Sequence, residues 1–173
     1  MTETALADRV HSFPPIAPPG ATRLVLGSMP GVASLRAEQY YAHPHNAFWP
    51  IMAALFGTPA DAPYAARVRA LERAGVALWD VLATCERPGS LDAAIRRDSE
   101  VANDMAGLLA RCPAIRVVAF NGAAAEAAFR RHCRDLRANS ARRYLRLPST
   151  SPAHAALSRE AKCSAWRAAL IGR

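Results

Sequence analysis

Four short segments carry most of the side chains that could do chemistry in this chain. They are residues 27–31 (Gly-Ser-Met-Pro-Gly), 43–49 (His-Pro-His-Asn-Ala-Phe-Trp), 120–122 (Phe-Asn-Gly) and 147–154 (Leu-Pro-Ser-Thr-Ser-Pro-Ala-His). We call the first the glycine loop and the last the serine loop. Together they offer loop amides, an aromatic face, two amide side chains and several hydroxyl groups. Such groups suit a flat heterocycle that is attached to a phosphate backbone.

The glycine loop combines two glycines, which permit backbone geometries closed to other residues, with Pro30, which stiffens the turn. Its amides, at Ser28 and Met29, can hold a phosphate or the carbonyl oxygen of a base. An ordinary strand-to-helix turn has the same composition. The loop by itself therefore leaves a binding role and a purely structural role open.

Two asparagines are candidates for contact with a ligand. Asn46 precedes a helical segment that it could cap, and its amide could also contact a ligand, since the two roles can hold together. Asn121 follows the most apolar run of the chain, and its amide offers an acceptor and two donors. That pattern matches the imide edge shared by uracil and hypoxanthine. A cap on the following helix is the alternative for Asn121.

Strands and helices alternate along the sequence. Apolar runs predict strands at residues 23–26, 76–81, 115–120 and 144–147. Helical patterns occupy residues 48–56, 63–74, 103–111, 122–132 and 157–171. This order predicts an α/β fold: a single three-layer α/β/α domain with a central, mainly parallel four-stranded sheet. Residues 85–90 are expected to lie in a long loop.

The carboxyl ends of parallel strands share one edge of the sheet, where ligands of such folds bind. The glycine loop, Asn121 and the serine loop each follow a predicted strand. We therefore expect the three segments to meet at that edge. Residues 1–20 should form an extended Pro-rich lead-in, and residues 21–173 the domain.

Composition narrows the class of protein. The chain has 173 residues, 51% of them hydrophobic, which suits one domain with a real core. No apolar run reaches the length of a membrane span, and residues 1–10 lack the apolar block of a signal peptide. We expect a soluble, cytoplasmic monomer without a membrane partner. The four cysteines are widely separated, so we expect free thiols and no metal.

Positive charge points towards nucleic acid. Lysine and arginine total 22 against 14 acidic residues, which gives a net charge of +8. Such an excess attracts a phosphate backbone whatever its sequence. A GC-rich genome that converts lysine codons to arginine codons would also favour an arginine-rich protein. The net charge alone therefore does not show that the protein binds nucleic acid.

The four segments, in this order and at this spacing, resemble the uracil-DNA glycosylase superfamily and most closely its hypoxanthine-DNA glycosylase branch. Residues 43–49 are similar to a His-Pro-x-Asn-x-Phe-Trp segment of that group. Several branches place an acidic residue or asparagine before the proline of the glycine loop, where this chain has Met29. The resemblance then implies that Asn46 positions the attacking water.

The resemblance also suggests roles for the other residues. Phe48 would stack on the extruded base, which Asn121 would read, while Trp49 packs in the core. His154 would donate to the base oxygen or bind phosphate. The hydroxyls and amides of Ser149 and Ser151 would contact phosphates.

By the same resemblance, Thr150 in the serine loop and Gly31 in the glycine loop would also contact the DNA. Gly31 leaves room for a purine where uracil-restricted relatives have tyrosine, although Tyr40 or Tyr41 could refill the space. Asp80 could orient a group in the pocket or cap a loop.

The implied activity is that of a monofunctional DNA N-glycosylase without a cofactor. It would excise uracil, hypoxanthine or both by hydrolysis and leave an abasic site for base excision repair. Two other classes of function stay open. One is a non-catalytic descendant that binds nucleic acid, which Met29 suggests. The other is a nucleosidase acting on free nucleosides. These substrates are uncharged, so a positively charged surface would not help to bind them.

Overall fold

The computed structural model describes residues 9–139 and 141–172. Seven strands and six α-helices follow one another within this part of the chain. In order they are β1 (Arg9–His11), β2 (Arg23–Gly27), α1 (Val32–Ala37), α2 (Phe48–Phe56), α3 (Tyr64–Arg73), β3 (Val76–Asp80), β4 (Leu82–Glu86), β5 (Val101–Ala102), α4 (Met105–Arg111), β6 (Val117–Asn121), α5 (Ala123–His132), β7 (Arg143–Leu147) and α6 (Arg159–Leu170).

The central sheet has four parallel strands in the order β3-β2-β6-β7. Its inner strands are apolar on both faces because helices cover both sides, and Leu24, Val25 and Leu26 are all at most 1% exposed. Two residues at the carboxyl edge, Gly27 and Asp80, are paired in register. The four predicted strands and the parallel arrangement are confirmed, with ends that differ by at most two residues.

Two separate cores confirm the three-layer arrangement. One face of the sheet packs against α4 and α5 through a cluster that includes Leu108 and Phe129. The other packs against α2, α3 and α6 through Ile51, Leu71 and Trp166. The sheet therefore cannot shift against either helical layer without breaking a core, which makes its carboxyl edge a rigid base for a site.

A second, smaller sheet was not predicted from the sequence. Its strands β1, β4 and β5 are antiparallel, and Arg9–His11 pairs with residues 84–86. The expected loop at residues 85–90 therefore begins as a strand. The Pro-rich lead-in is also more than an extended arm, since Ile16 exchanges backbone hydrogen bonds of 2.9 and 2.8 Å with Leu78. Residues 1–8 of that lead-in lie outside the described residues.

Helix α1 was also missed, because a helix of six residues is too short to show a periodic pattern.

Within residues 9–139 and 141–172, no helix is both long and apolar enough to cross a bilayer. The same residues contain no cluster of three or more potential metal ligands among histidine, cysteine, aspartate and glutamate.

Candidate active site

A cavity of about 330 Å³ opens at the carboxyl edge of the central sheet. The glycine loop forms one wall and the serine loop another, and the strand ends form the floor. The residues around it are 27–34, Tyr40, Tyr41, His43, Asn46, Asp80, 90–92, Asn121 and 149–153. The structure thus brings together the four segments that the sequence analysis singled out, although not every predicted side chain reaches the cavity.

The glycine loop needs a glycine at its first position. A Cβ atom on Gly27 would lie 2.4 Å from Oδ1 of Asp80 and 3.1 Å from the hydroxyl of Tyr41. Any larger residue would therefore displace both side chains. Ser28 lines the cavity, and its hydroxyl donates a hydrogen bond to Asp92. Met29 also lines it, but its side chain belongs to the core and has no group that could polarise water.

A buried arginine holds this loop in place. Arg87 is 1% exposed, and its guanidinium donates to the carbonyl oxygens of Pro30 and, at 2.8 Å, Gly89. Gly31 lies beside Ser90, whose hydroxyl accepts a 2.8 Å hydrogen bond from the Val32 amide. Arg87 could not be singled out from the sequence, since one arginine among many gives no signal of burial.

Asn46 lines the cavity and also caps α2. Its Oδ1 accepts a 3.0 Å hydrogen bond from the Phe48 amide, the first of α2, so the side chain caps the helix from the residue before the N-cap position, Ala47. An amide oxygen has two lone pairs, so this bond leaves one for a water molecule. The segment is tied to the serine loop by a 2.9 Å hydrogen bond from the Ala47 amide to the Thr150 carbonyl. Capping and the predicted positioning of water are therefore compatible.

The prediction for Phe48 needs correction. Phe48 is fully buried and does not line the cavity, because the ring of Tyr41 lies over it with the ring centroids 4.2 Å apart. Tyr41, like Tyr40, lines the cavity in place of Phe48. Its backbone has φ = 54°, a left-handed conformation that is uncommon for a tyrosine. Trp49 lies in the core as predicted.

Asn121 is held by Thr150 at both ends of its amide. Its Oδ1 accepts from the Thr150 amide and its Nδ2 donates to the Thr150 hydroxyl, both at 2.9 Å. The side chain does not cap α5, whose N-cap residue Gly122 has no side-chain partner. Geometry leaves one N–H and one lone pair of the Asn121 amide without a partner among the described residues, with the Tyr41 hydroxyl close by. An imide edge requires this pair of groups.

The serine loop contributes Ser149, Thr150 and Ser151 to the cavity wall, but not His154. His154 is half-buried, and its carbonyl oxygen accepts a 2.6 Å hydrogen bond from Lys162. The structure therefore does not bring its ring to the cavity as the sequence analysis expected. Lys162, the one lysine of the sequence, is buried and also donates to the Ser151 carbonyl at 3.4 Å.

Asp80 is the ionisable group most changed by this environment. It is 4% exposed, lines the cavity, and its Oδ2 is buried without a hydrogen-bond partner in the described structure. Burial and the nearby charge of Asp92 raise the pKa of Asp80 to about 7, and Arg87 opposes them only in part. The carboxyl group therefore carries its proton over much of the range in which most aspartates are ionised.

This raised pKa predicts an effect on stability. Between pH 4 and pH 7 the unfolded chain has Asp80 ionised while the folded protein keeps it neutral, so folding takes up a proton. The contribution of this group therefore falls as pH rises through that window, by at most about 3–4 kcal/mol. We expect Asp80→Asn to gain stability relative to the wild type from pH 5 to pH 8, measured by urea unfolding. An unchanged difference between the two proteins would contradict the raised pKa.

Comparison with known proteins agrees with this architecture. Residues 14–171 match the profile of the Uracil DNA glycosylase superfamily. The chain belongs to that superfamily. Two curated members that resemble it are the hypoxanthine DNA glycosylases of Methanosarcina barkeri and Methanosarcina acetivorans, 38% and 35% identical over 113 residues. Each alignment covers 65% of this chain and 70% of the relative.

A solved structure extends the likeness over nearly the whole molecule. The solution NMR structure of a candidate uracil DNA glycosylase from Methanosarcina acetivorans superposes with a TM-score of 0.77 at 29% identity. It covers 95% of this chain and 99% of its own. The family and the fold expected from the sequence are confirmed, and this superfamily member is a DNA glycosylase. The roles of individual residues stay predictions.

Proposed function

We propose that this glycosylase removes hypoxanthine from DNA by hydrolysis of the N-glycosidic bond and leaves an abasic site. The observation that carries the proposal is the cavity, in which Asn46, Asn121 and the two loops surround a space within the range of small-molecule sites. The names of the curated relatives support hypoxanthine as the base. Gly31, which leaves the entrance open beside Ser90, is consistent with a purine.

Recognition would begin with extrusion of the base from the duplex. Extrusion costs a few kcal/mol and is easier at a mispair, which favours a deaminated base over a normal one. The free N–H of Asn121 would then donate to O6 and its free lone pair accept from N1–H of hypoxanthine. Adenine presents the opposite pattern at these two atoms, so the same amide would reject it.

Bond cleavage produces a cationic sugar that needs only a well-placed water molecule. The remaining lone pair of Asn46 Oδ1 is suited to hold that water at the cavity wall. Water adds to a carbon that is already electrophilic, so the reaction does not require an acidic residue at position 29 to activate it. The ring of Tyr41, supported by Phe48, would form the aromatic wall against the base.

The DNA backbone would contact the rim of the cavity. Ser149 and Ser151 lie there with hydroxyls suited to phosphate oxygens, while the Ser151 amide already donates to the Ser149 hydroxyl at 3.2 Å. The net charge of +8 supplies attraction along the duplex. We also propose that the protein acts as a monomer in the cytoplasm. Its cysteines are free thiols, as in most proteins of a reducing compartment.

A gel assay tests the proposed function. The purified protein is incubated with labelled duplexes that contain one hypoxanthine, one uracil or neither, and abasic sites are cleaved with alkali. We expect a cut at hypoxanthine and none in the unmodified duplex. Tight binding without any cut would instead support the non-catalytic alternative, to which Met29 points.

A further inference from the structure

The carboxyl group of Asp80 has no role in the mechanism above, although it lies on the cavity floor. Its Oδ1 lies where a side chain of Gly27 would be, and its Oδ2 has no hydrogen-bond partner in the described structure. We propose that Asp80 is a further catalytic residue, which donates a proton to N7 of a purine leaving group. This inference rests on the proposed glycosylase function and deepens it, because it assigns the site to purines.

The surroundings of Asp80 favour a protonated acid over a carboxylate. A carboxylate would leave Oδ2 charged, buried and without a donor, which is costly in a protein interior. Of the neighbouring groups, Asp92 repels a negative charge and Arg87 attracts one. The hydroxyls of Tyr40 and Tyr41 are neutral, because burial raises the pKa of both. Burial and the charge of Asp92 together thus favour the neutral acid of Asp80 over its carboxylate.

The chemistry of the base decides which atom can accept this proton. With Asn121 at N1–H and O6, the next polar atom around a hypoxanthine ring is N7, which has a lone pair in the ring plane. The corresponding atom beside O4 of uracil is C5–H, which accepts nothing. Asp80 and Asn121 end the strands on either side of β2, and both line the cavity. A donor on the N7 side of the Asn121 contact is therefore useful for a purine and useless for a pyrimidine.

The step balances with water as the one reagent consumed. The Asp80 proton moves to N7, the C1′–N9 bond breaks, and its electron pair stays on the base, which leaves as neutral hypoxanthine. The water held by Asn46 adds to C1′ and releases a proton, which returns Asp80 to its acid form through solvent. Activation of the leaving group reduces the need to activate the water, so the chemistry is consistent with an amide at the water site.

The experiment compares excision of three bases by the wild type and Asp80→Asn under single-turnover conditions. The duplexes contain 2′-deoxyinosine, its 7-deaza analogue, in which N7 is replaced by C–H, or 2′-deoxyuridine. We expect Asp80→Asn to slow release of hypoxanthine by about 100-fold or more, as is usual for loss of a general acid. The substitution should have no further effect on the 7-deaza analogue, which cannot take the proton, or on any release of uracil.

The pH profile gives a second readout. The wild-type rate on deoxyinosine should fall as pH rises through about 7, because the acid form is the active one. This fall should vanish in Asp80→Asn. A matched control is Asp135→Asn, which removes a carboxylate whose side chain is fully exposed on the surface. That control should behave like the wild type on every duplex.

Three results would overturn the proposal while leaving the glycosylase function intact. They are equal release of hypoxanthine and its 7-deaza analogue by the wild type, an equal loss on both substrates in Asp80→Asn, and a wild-type rate that rises with pH. The first needs no variant and so does not depend on the folding of Asp80→Asn. Excision of uracil alone would overturn the purine assignment. Failure of the wild type to cut any duplex would overturn the proposed function itself.

Discussion

Asn46→Ala is expected to slow base excision on the order of 100-fold, while affinity for the DNA duplex stays close to that of the wild type. The water would lose the acceptor that fixes its position, and misplacement of a reactant by about 1 Å can cost such a factor. The change also removes the cap on α2, since Asn46 Oδ1 accepts from the Phe48 amide, at a cost of about 1 kcal/mol in stability. Single-turnover rates and DNA affinity measure the two effects separately.

Two further substitutions of Asn46 separate capping from catalysis. Asn46→Ser retains a capping oxygen for the Phe48 amide but is too short to hold water at the same place. Asn46→Asp retains an oxygen at both places. We expect Asn46→Ser to excise the base as slowly as Asn46→Ala, although its stability should equal that of the wild type. Asn46→Asp should excise the base much faster than either. If Ser is as active as the wild type, Asn46 is a cap and the water is held elsewhere.

Asn121→Asp is expected to reduce excision of the deaminated base by about 100-fold. Its carboxylate would face O6 of hypoxanthine with an acceptor instead of a donor, and a good bidentate contact is worth about 1–3 kcal/mol of discrimination. The Thr150 amide can still donate to the new carboxylate, so the serine loop should stay in place. Rates on hypoxanthine and on cytosine duplexes measure the loss and any gain.

Thr150→Val is the matched control for this change. Valine has nearly the shape of threonine and retains the backbone amide that donates to Asn121 Oδ1, but it lacks the hydroxyl that accepts from Nδ2. We expect a loss of about 10-fold, because the amide of Asn121 is then fixed at one end rather than two. Undiminished selectivity in Asn121→Asp would show that another group reads the base.

Much of the central architecture follows from local sequence. The strands β2, β3 and β6 are buried on both faces, so each appears as a short apolar run that few other structures would explain. The smaller sheet has no such signature. Arg9–His11 becomes a strand only because residues 84–86, more than 70 positions away, offer it a partner. Pairing of this kind is decided by the folded chain, not by local propensity.

The site shows the same division. Asn46 and Asn121 could be selected from the sequence, because each amide stands at the end of an element where loops meet. The sequence could not show that the ring of Tyr41, and not that of Phe48, lines the cavity. Tyr41 stacks on Phe48 from a left-handed backbone conformation that local sequence does not predict. The buried lysine under the serine loop, Lys162, also gave no signal beyond its being the one lysine of the chain.

The sequence by itself determined the family, the parallel sheet and the segments that gather at its carboxyl edge, because these depend on residue order and on apolar periodicity. Only the tertiary structure decided which side chains face the cavity and how they are charged. Asp80 is the clearest example: an aspartate at a strand end is ordinarily ionised. Its proton here results from burial beside Gly27 and from the charge of Asp92, which folding brings close to it.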